Sequence, residues 1–269
     1  MLVKSNFIPA EIFDRFLQED SELQNKPITI FNDYVPSIEE LKLNPYNILI
    51  LNEPNELFNL HTFAIQNQNA FSCILTWSSE VLEKCSNAIL FPFGMSFLWE
   101  QPEFFESIKI EDKKLKVFFV CGNKQMVEGH KFRHRVYDQK DKLQLDHTWI
   151  YTCPSEEKLA HFKDSMFHVA VENVQKENFF TEKIIDAFLT RTVPVYRGCT
   201  NLNEYFNMDG VITFQTEDEL VDIVNSLTEE DYLKRKEAME ENYQLAIYWK
   251  DYYIRLVSLL KELVNLNNI

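Results

Sequence analysis

Short, mainly apolar runs alternate with segments of helical period along most of this chain. Runs at 27–31, 47–51, 71–76 and 88–91 predict strands in the first part; runs at 115–121, 148–151, 167–171, 193–196 and 211–214 predict them in the second. Between them the helical period predicts helices at 9–17, 78–85, 130–139, 155–162, 181–192 and 217–227. A brief helix follows the capping box of Ser37 and Glu40, and Pro54 is placed as the first residue of another. Residues 228–269 read as long helices, with Leu256, Val257, Leu259, Leu260, Leu263 and Val264 forming an apolar face. The run Ile48-Leu49-Ile50-Leu51 has no polar interruption, the mark of a parallel strand covered on both faces. Strands alternating with helices throughout imply an α/β fold with parallel sheets and right-handed crossovers. The pattern turns polar and loses its period around 101–111, which sets a domain boundary there: 1–108 and 109–269.

Composition adds limits to that picture. The 269 residues suffice for two α/β domains, and a hydrophobic share of 45% with 22 Phe and 11 Tyr supplies sizeable cores. A net charge of −15 disfavours nucleic acid and an anionic membrane surface, because both require a basic face. No apolar run approaches the ~20 residues that span a bilayer. The five cysteines, Cys73, Cys85, Cys121, Cys153 and Cys199, are scattered and lack C-x-x-C spacing. They read as reduced thiols, not as a disulfide frame or a zinc site. The first residues carry one lysine, an early acid and no long apolar core, unlike a secretory signal, so the expected location is cytoplasmic. The six histidines have no metal-ligand spacing, and P-loop, G-x-G-x-x-G and G-x-S-x-G motifs are absent.

The stretch 167–198 carries the densest chemistry. An apolar run with Phe167, Val169 and Val171 leads into a polar loop with Glu172, Asn173, Lys176, Glu177 and Asn178. Thr181 is a good N-cap, Ile184, Ile185, Phe188 and Leu189 follow at helical spacing, and 193–196 starts a second strand. Open α/β sheets bind ligands at such strand ends, and free N–H groups at a helix start with Lys183 beside them suit a diphosphate. An acid such as Glu182 in a first turn is explained by the helix dipole alone; a lysine there is disfavoured unless an anion sits beside it. A second feature is the basic run from Lys113 to Arg135, which holds seven cations against one acid, Glu128. Basic runs are more often solvated helix faces, but this one follows directly on the carboxyl end of a strand.

Glu172-Asn173, then Phe179-Phe180-Thr181-Glu182-Lys183, then Pro194-Val195-Tyr196-Arg197-Gly198 resembles the donor-binding signature of glycosyltransferase family 10, the α-1,3/α-1,4-fucosyltransferases. Ile74-Leu75-Thr76-Trp77, Phe91-Pro92-Phe93-Gly94, and Gly122-Asn123 through Arg133 to Asp138 resemble further landmarks of that family, in order. Phe179 stands where that family usually has tyrosine, and Arg197 where tryptophan or an apolar residue is common. The resemblance implies the GT-B architecture: two facing Rossmann-like domains, acceptor side first (1–108) and donor side second (109–269). Its C-terminal helices would pack back on the first domain.

The resemblance also implies the site. Asn173, Glu182 and Lys183 would contact the nucleotide, Glu182 on the ribose hydroxyls and Lys183 on phosphate. Glu172 would reach the sugar or brace the loop, and Phe179 and Thr181 would complete that wall. Arg133 would hold the diphosphate, with Asn123 and Lys131 beside it, and His130 lies in the same loop. Glu53, at the end of the most apolar strand of the first part, would be the general base, with its pKa raised by partial desolvation. The plainer reading makes Glu53 a helix-entry acid before Pro54, with Glu56 as its competitor for the catalytic role. No D-x-D metal motif occurs, so side-chain cations would have to steady the leaving diphosphate. The expected function is metal-independent, inverting transfer of fucose from GDP-fucose to a glycan hydroxyl, with no cofactor beyond that donor. The alternatives are a GT-B transferase using another nucleotide sugar, or a non-catalytic glycan-binding protein on the same fold.

Overall fold

The computed structural model describes residues 1–6, 23, 25–98 and 102–265, so the helix expected at 9–17 lies outside the described residues. The chain divides into two compact units, residues 1–93 with 251–269, and residues 94–250.

In unit 1, β1 (Leu2–Ser5), β2 (Ile28–Asn32), β3 (Tyr46–Leu51), β4 (Cys73–Thr76) and β5 (Ala88–Leu90) form a parallel sheet in sequential order. Every residue of β2 is buried, and all of β3 except Tyr46, as expected of parallel strands covered on both faces. Phe31, Leu49, Leu51, Leu60, Ile74 and Val81 meet in its core. α1 (Ile38–Leu41) begins with the expected capping box: Glu40 N–H donates to Ser37 Oγ at 3.2 Å and Ser37 N–H to Glu40 Oε2 at 2.9 Å. Pro54 is not the first helical residue; it is the extended N-cap of α2 (Asn55–Phe58). That helix stops at Asn59, whose left-handed φ of 54° asparagine tolerates. α3 (Leu60–Gln66) starts there, with the N–H groups of His61 and Thr62 held by Asn55 Oδ1. α4 (Ser79–Lys84) is capped by Ser78.

Unit 2 holds α5 (Pro102–Glu106), β6 (Lys114–Val120), α6 (Glu128–Tyr137), β7 (His147–Ile150), α7 (Ser155–Asp164), β8 (Ser165–Val171), α8 (Glu182–Leu189), β9 (Val193–Arg197), β10 (Ile212–Thr213), α9 (Glu217–Ser226), α10 (Glu229–Leu233) and α11 (Lys236–Lys250). Its sheet is parallel in the order β10-β9-β8-β6-β7. Strand alternation separates two cores: Phe118, Ala170 and Tyr196 face one, while Val117, Phe119, Phe167, Val169 and Val195 face the other. The unit begins at Gly94, ahead of the polar stretch that suggested 108/109. Gly94 N–H donates to Phe180 O at 3.2 Å, Ser96 Oγ–H to Asp186 Oδ1 at 2.7 Å, and Phe105 and Ile108 enter the core. α12 (Tyr252–Asn265) belongs to unit 1, where Arg255 donates to the carbonyls of Pro92 and Phe93 at 3.2 and 3.1 Å.

Candidate functional site

In unit 2 the chain passes from β6 outward to β7 and returns on the other side of β6 as β8. The connections leaving β6 and β8 therefore diverge, and open parallel sheets take ligands at such a switch point. A cavity of about 260 Å³ lies there, lined by residues 120–122 and 168–171 of the two strand ends together with Phe97, Arg133, Cys153, Lys158, Glu182 and Lys183.

Arg133 reaches this point from α6. Its Nε donates to Cys121 O at 2.8 Å, its Nη1 to Val171 O at 2.8 Å, and both terminal nitrogens to Asn173 Oδ1 at 3.2 and 3.3 Å. The guanidinium thus bridges the ends of β6 and β8 and lines the cavity as well. α6 is seated by Gly129, whose N–H donates to Asn173 O at 3.0 Å. His130 is buried and accepts at Nδ1 from the N–H groups of Met126 and Val127, at 3.2 and 3.4 Å. Burial and the neighbouring Arg133 and Lys124 push its imidazole down to about 4, so it stays neutral and caps its own helix.

At the start of α8 a chain of bonds joins Glu172, Thr181, Glu182 and Lys183. Glu172 accepts from Thr181 N–H at 2.9 Å and from its hydroxyl at 2.8 Å. Lys183 Nζ lies 3.0 Å from Thr181 Oγ1, 3.0 Å from Glu182 Oε1 and 3.6 Å from Glu172 Oε2. Burial opposes the ammonium, but Glu182 and Glu172 overcome it and hold Lys183 above its ordinary value. Two of the N–H groups expected to face a diphosphate are taken: Thr181 N–H by Glu172, and Lys183 N–H by Thr181 Oγ1. Beside this group Lys158 pairs with Asp186 at 2.7 Å.

Of the expected donor-side residues, Arg133, Glu182 and Lys183 come together in the cavity wall. Glu172, Asn173 and Thr181 form the frame behind it, and Phe179 is 1% exposed, outside the lining. Asn123 and Lys131 are exposed and do not line it. The expectations missed Lys158 and His168. Lys158 carried a signal, since it lies one helical turn before the buried Phe162 and so puts a cation on the inner face of α7. His168 did not; its Nδ1 bonds to Phe118 O at 3.0 Å, and burial pushes it down to about 3. Among the described residues no group of three or more His, Cys, Asp or Glu is placed to hold a metal ion.

Glu53 lies in unit 1, half-buried just beyond β3. Its N–H donates to Asp33 Oδ1 at 3.0 Å and its carbonyl bonds to His61 Nε2 at 3.0 Å.

Likeness to solved structures defines the class. An alpha1,3-fucosyltransferase superposes with a TM-score of 0.57 at 14% identity, over 94% of this chain and 89% of that one. An alpha1,3-fucosyltransferase with GDP-fucose gives 0.55 at 15% identity, over 90% and 81%. The fold is the two-domain α/β architecture of the GT-B glycosyltransferases. Residues 110–259, more than half of the chain, match the model of Glycosyltransferase family 10 (fucosyltransferase) C-term, and the chain belongs to that family. A stretch of 64 residues is 34% identical to alpha-(1,3)-fucosyltransferase FucT of Helicobacter pylori, and spans 23% of this chain and 13% of that protein. Among the described residues no helix is long and apolar enough to cross a membrane.

Proposed function

We propose that this protein transfers fucose from GDP-fucose to a hydroxyl of a glycan acceptor, with inversion and without a metal ion. The observation that carries the reading is the cavity at the β6/β8 switch point, walled by Arg133, Lys158 and Lys183, in a chain of this family. Lys183 and Arg133 neutralise the diphosphate, and Glu182 accepts from the ribose hydroxyls. Glu53 takes the proton of the acceptor hydroxyl as its oxygen bonds to the anomeric carbon. The bond from that carbon to the β-phosphate oxygen breaks on the opposite face, and its electron pair leaves with GDP. Both donor-side cations are held by carboxylates and carbonyls, so they are oriented before the diphosphate arrives.

Isothermal titration with GDP and UDP, and transfer from labelled GDP-fucose to a glycan array with and without EDTA, test the reading. GDP should bind in preference to UDP, transfer should survive EDTA, and Lys183→Ala should weaken GDP at least about tenfold. A clear preference for UDP overturns the fucose assignment, and loss of transfer on chelation overturns the metal-free one.

A further inference from the structure

The turn Asn52–Glu53 in unit 1 is gripped by side chains from separate elements. Asp33 follows β2 at a φ of 46°, in the left-handed region that few residues other than glycine occupy. Its Oδ1 accepts from Asn52 N–H at 2.8 Å and from Glu53 N–H at 3.0 Å. His61 on α3 meets the Glu53 carbonyl with Nε2 at 3.0 Å; the carbonyl can only accept, so Nε2 carries the hydrogen. Trp77, just past β4, donates Nε1–H to Asn52 O at 2.9 Å and packs edge-on to His61, with ring centroids 5.2 Å apart. The Asn52 amide in turn donates to Asn32 Oδ1 at 2.7 Å and to the Tyr252 hydroxyl at 3.1 Å. Every backbone N–H and C=O of residues 52 and 53 is thus fixed by a buried side chain.

Satisfying a buried turn explains these four backbone contacts, but it does not require an acid at position 33. Asparagine offers the same oxygen to the same two N–H groups and escapes the cost of burying a charge. That cost is visible: burial drives the Asp33 carboxyl up to about 7 although two N–H bonds pull it down, and the nearby Glu53 charge adds to the rise. The other titratable neighbours among the described residues are His61 on α3 and Tyr252 on α12, whose hydroxyl burial keeps neutral.

We propose that Asp33, with His61 and Trp77, is a positioning device for Glu53: it locks the backbone from which that carboxylate projects, through the one oxygen that accepts from both N–H groups of the turn. This rests on Glu53 as the base, and the test separates the two claims. Turnover, both KM values and the pH profile of kcat/KM are measured for E53Q, D33A, D33N and H61F, with GDP affinity as the check that unit 2 is intact. D33A should lower kcat about 100-fold with donor KM unchanged, the size of loss expected from a misplaced catalytic group. D33N keeps the accepting oxygen, so it should recover most of that loss and leave the acidic limb of the profile where it is. H61F should lower kcat less than D33A, with donor KM again unchanged. If E53Q lowers kcat but D33A matches the wild type, or D33N falls as far as D33A, the positioning role is overturned and the base survives. If E53Q turns over like the wild type, the base assignment itself fails.

Discussion

Glu172 is the residue on which the donor-side charges turn. Three cations, Arg133, Lys158 and Lys183, share that region of unit 2 with three carboxylates, Glu172, Glu182 and Asp186. A sugar-linked diphosphate brings further negative charge into a set already balanced. Burial works to raise Glu182, yet Lys183 and Lys158 pull its carboxyl down to about 2, so it remains ionised. Glu172 is the opposite case. Burial lifts it above the usual carboxylate range, and Lys183 and the two Thr181 bonds offset that only in part. An anion that draws Lys183 away lifts Glu172 further, so the complex binds more protons than the free protein. Donor affinity should therefore strengthen as pH falls through the value Glu172 has in the complex. Titration calorimetry with GDP-fucose in buffers of different ionisation enthalpy should report net proton uptake, and Glu172→Gln should abolish it. Proton release on binding to the native protein would refute the scheme. The acid–lysine pair at this helix start was readable in the sequence; that Glu172, nine residues before Thr181, caps it was not, because the loop brings them together.

The weakest tolerance among the elements lies where the first turn of α6 meets the loop after β8. A Cβ at Gly129 would stand 2.0 Å from Glu172 O and 2.5 Å from Asn173 O, and backbone cannot yield there as a flexible side chain does. Gly129→Ala must push α6 outward, which separates Arg133 from Cys121 O and Val171 O. Urea unfolding should show a loss of about 1–3 kcal/mol, and GDP titration a weaker complex. Native stability together with native GDP affinity would show that α6 does not set the cavity. The central strands of both sheets were legible, because continuous apolar runs such as 48–51 and 117–121 are too short for a buried helix. β1, with only the four residues LVKS, and α3, cut off from α2 by Asn59, carry too little period to read. The basic run shows a different limit. Lys113 is buried against Phe162 O, Ser165 O and the Thr192 hydroxyl, Lys114 and Lys116 pair with Asp164, and Arg135 pairs with Glu128 and Glu217. A local excess of one charge is visible in sequence, while distant partners that neutralise it are not. Of the seven cations in that run, Arg133 alone is in the cavity lining.

At the level of the whole molecule, the two units differ in how the chain supplies them. Unit 2 is one continuous segment with a core on each face of its sheet and the entire cavity lining within it. Unit 1 needs both ends of the chain: α12 brings Tyr252 to the Asn52 amide and Arg255 to the carbonyls of Pro92 and Phe93. Removing that helix strips apolar cover and takes the Arg255 donors from the carbonyls of Pro92 and Phe93 and the Tyr252 hydroxyl from Asn52, and each buried group left unpaired costs on the order of 1–3 kcal/mol. Small domains have a net stability of only about 5–15 kcal/mol, so unit 1 has little to spare. Residues 94–250 expressed alone should therefore unfold in one cooperative transition, with a midpoint that rises with GDP concentration as mass action requires. Residues 1–93 expressed alone should show no cooperative transition, and supplying 251–269 through a linker should restore it. A cooperative 1–93 fragment would mean that α12 is dispensable to unit 1. A 94–250 fragment that folds but whose midpoint ignores GDP would mean that the cavity at the β6/β8 switch point does not hold the nucleotide without the rest of the chain.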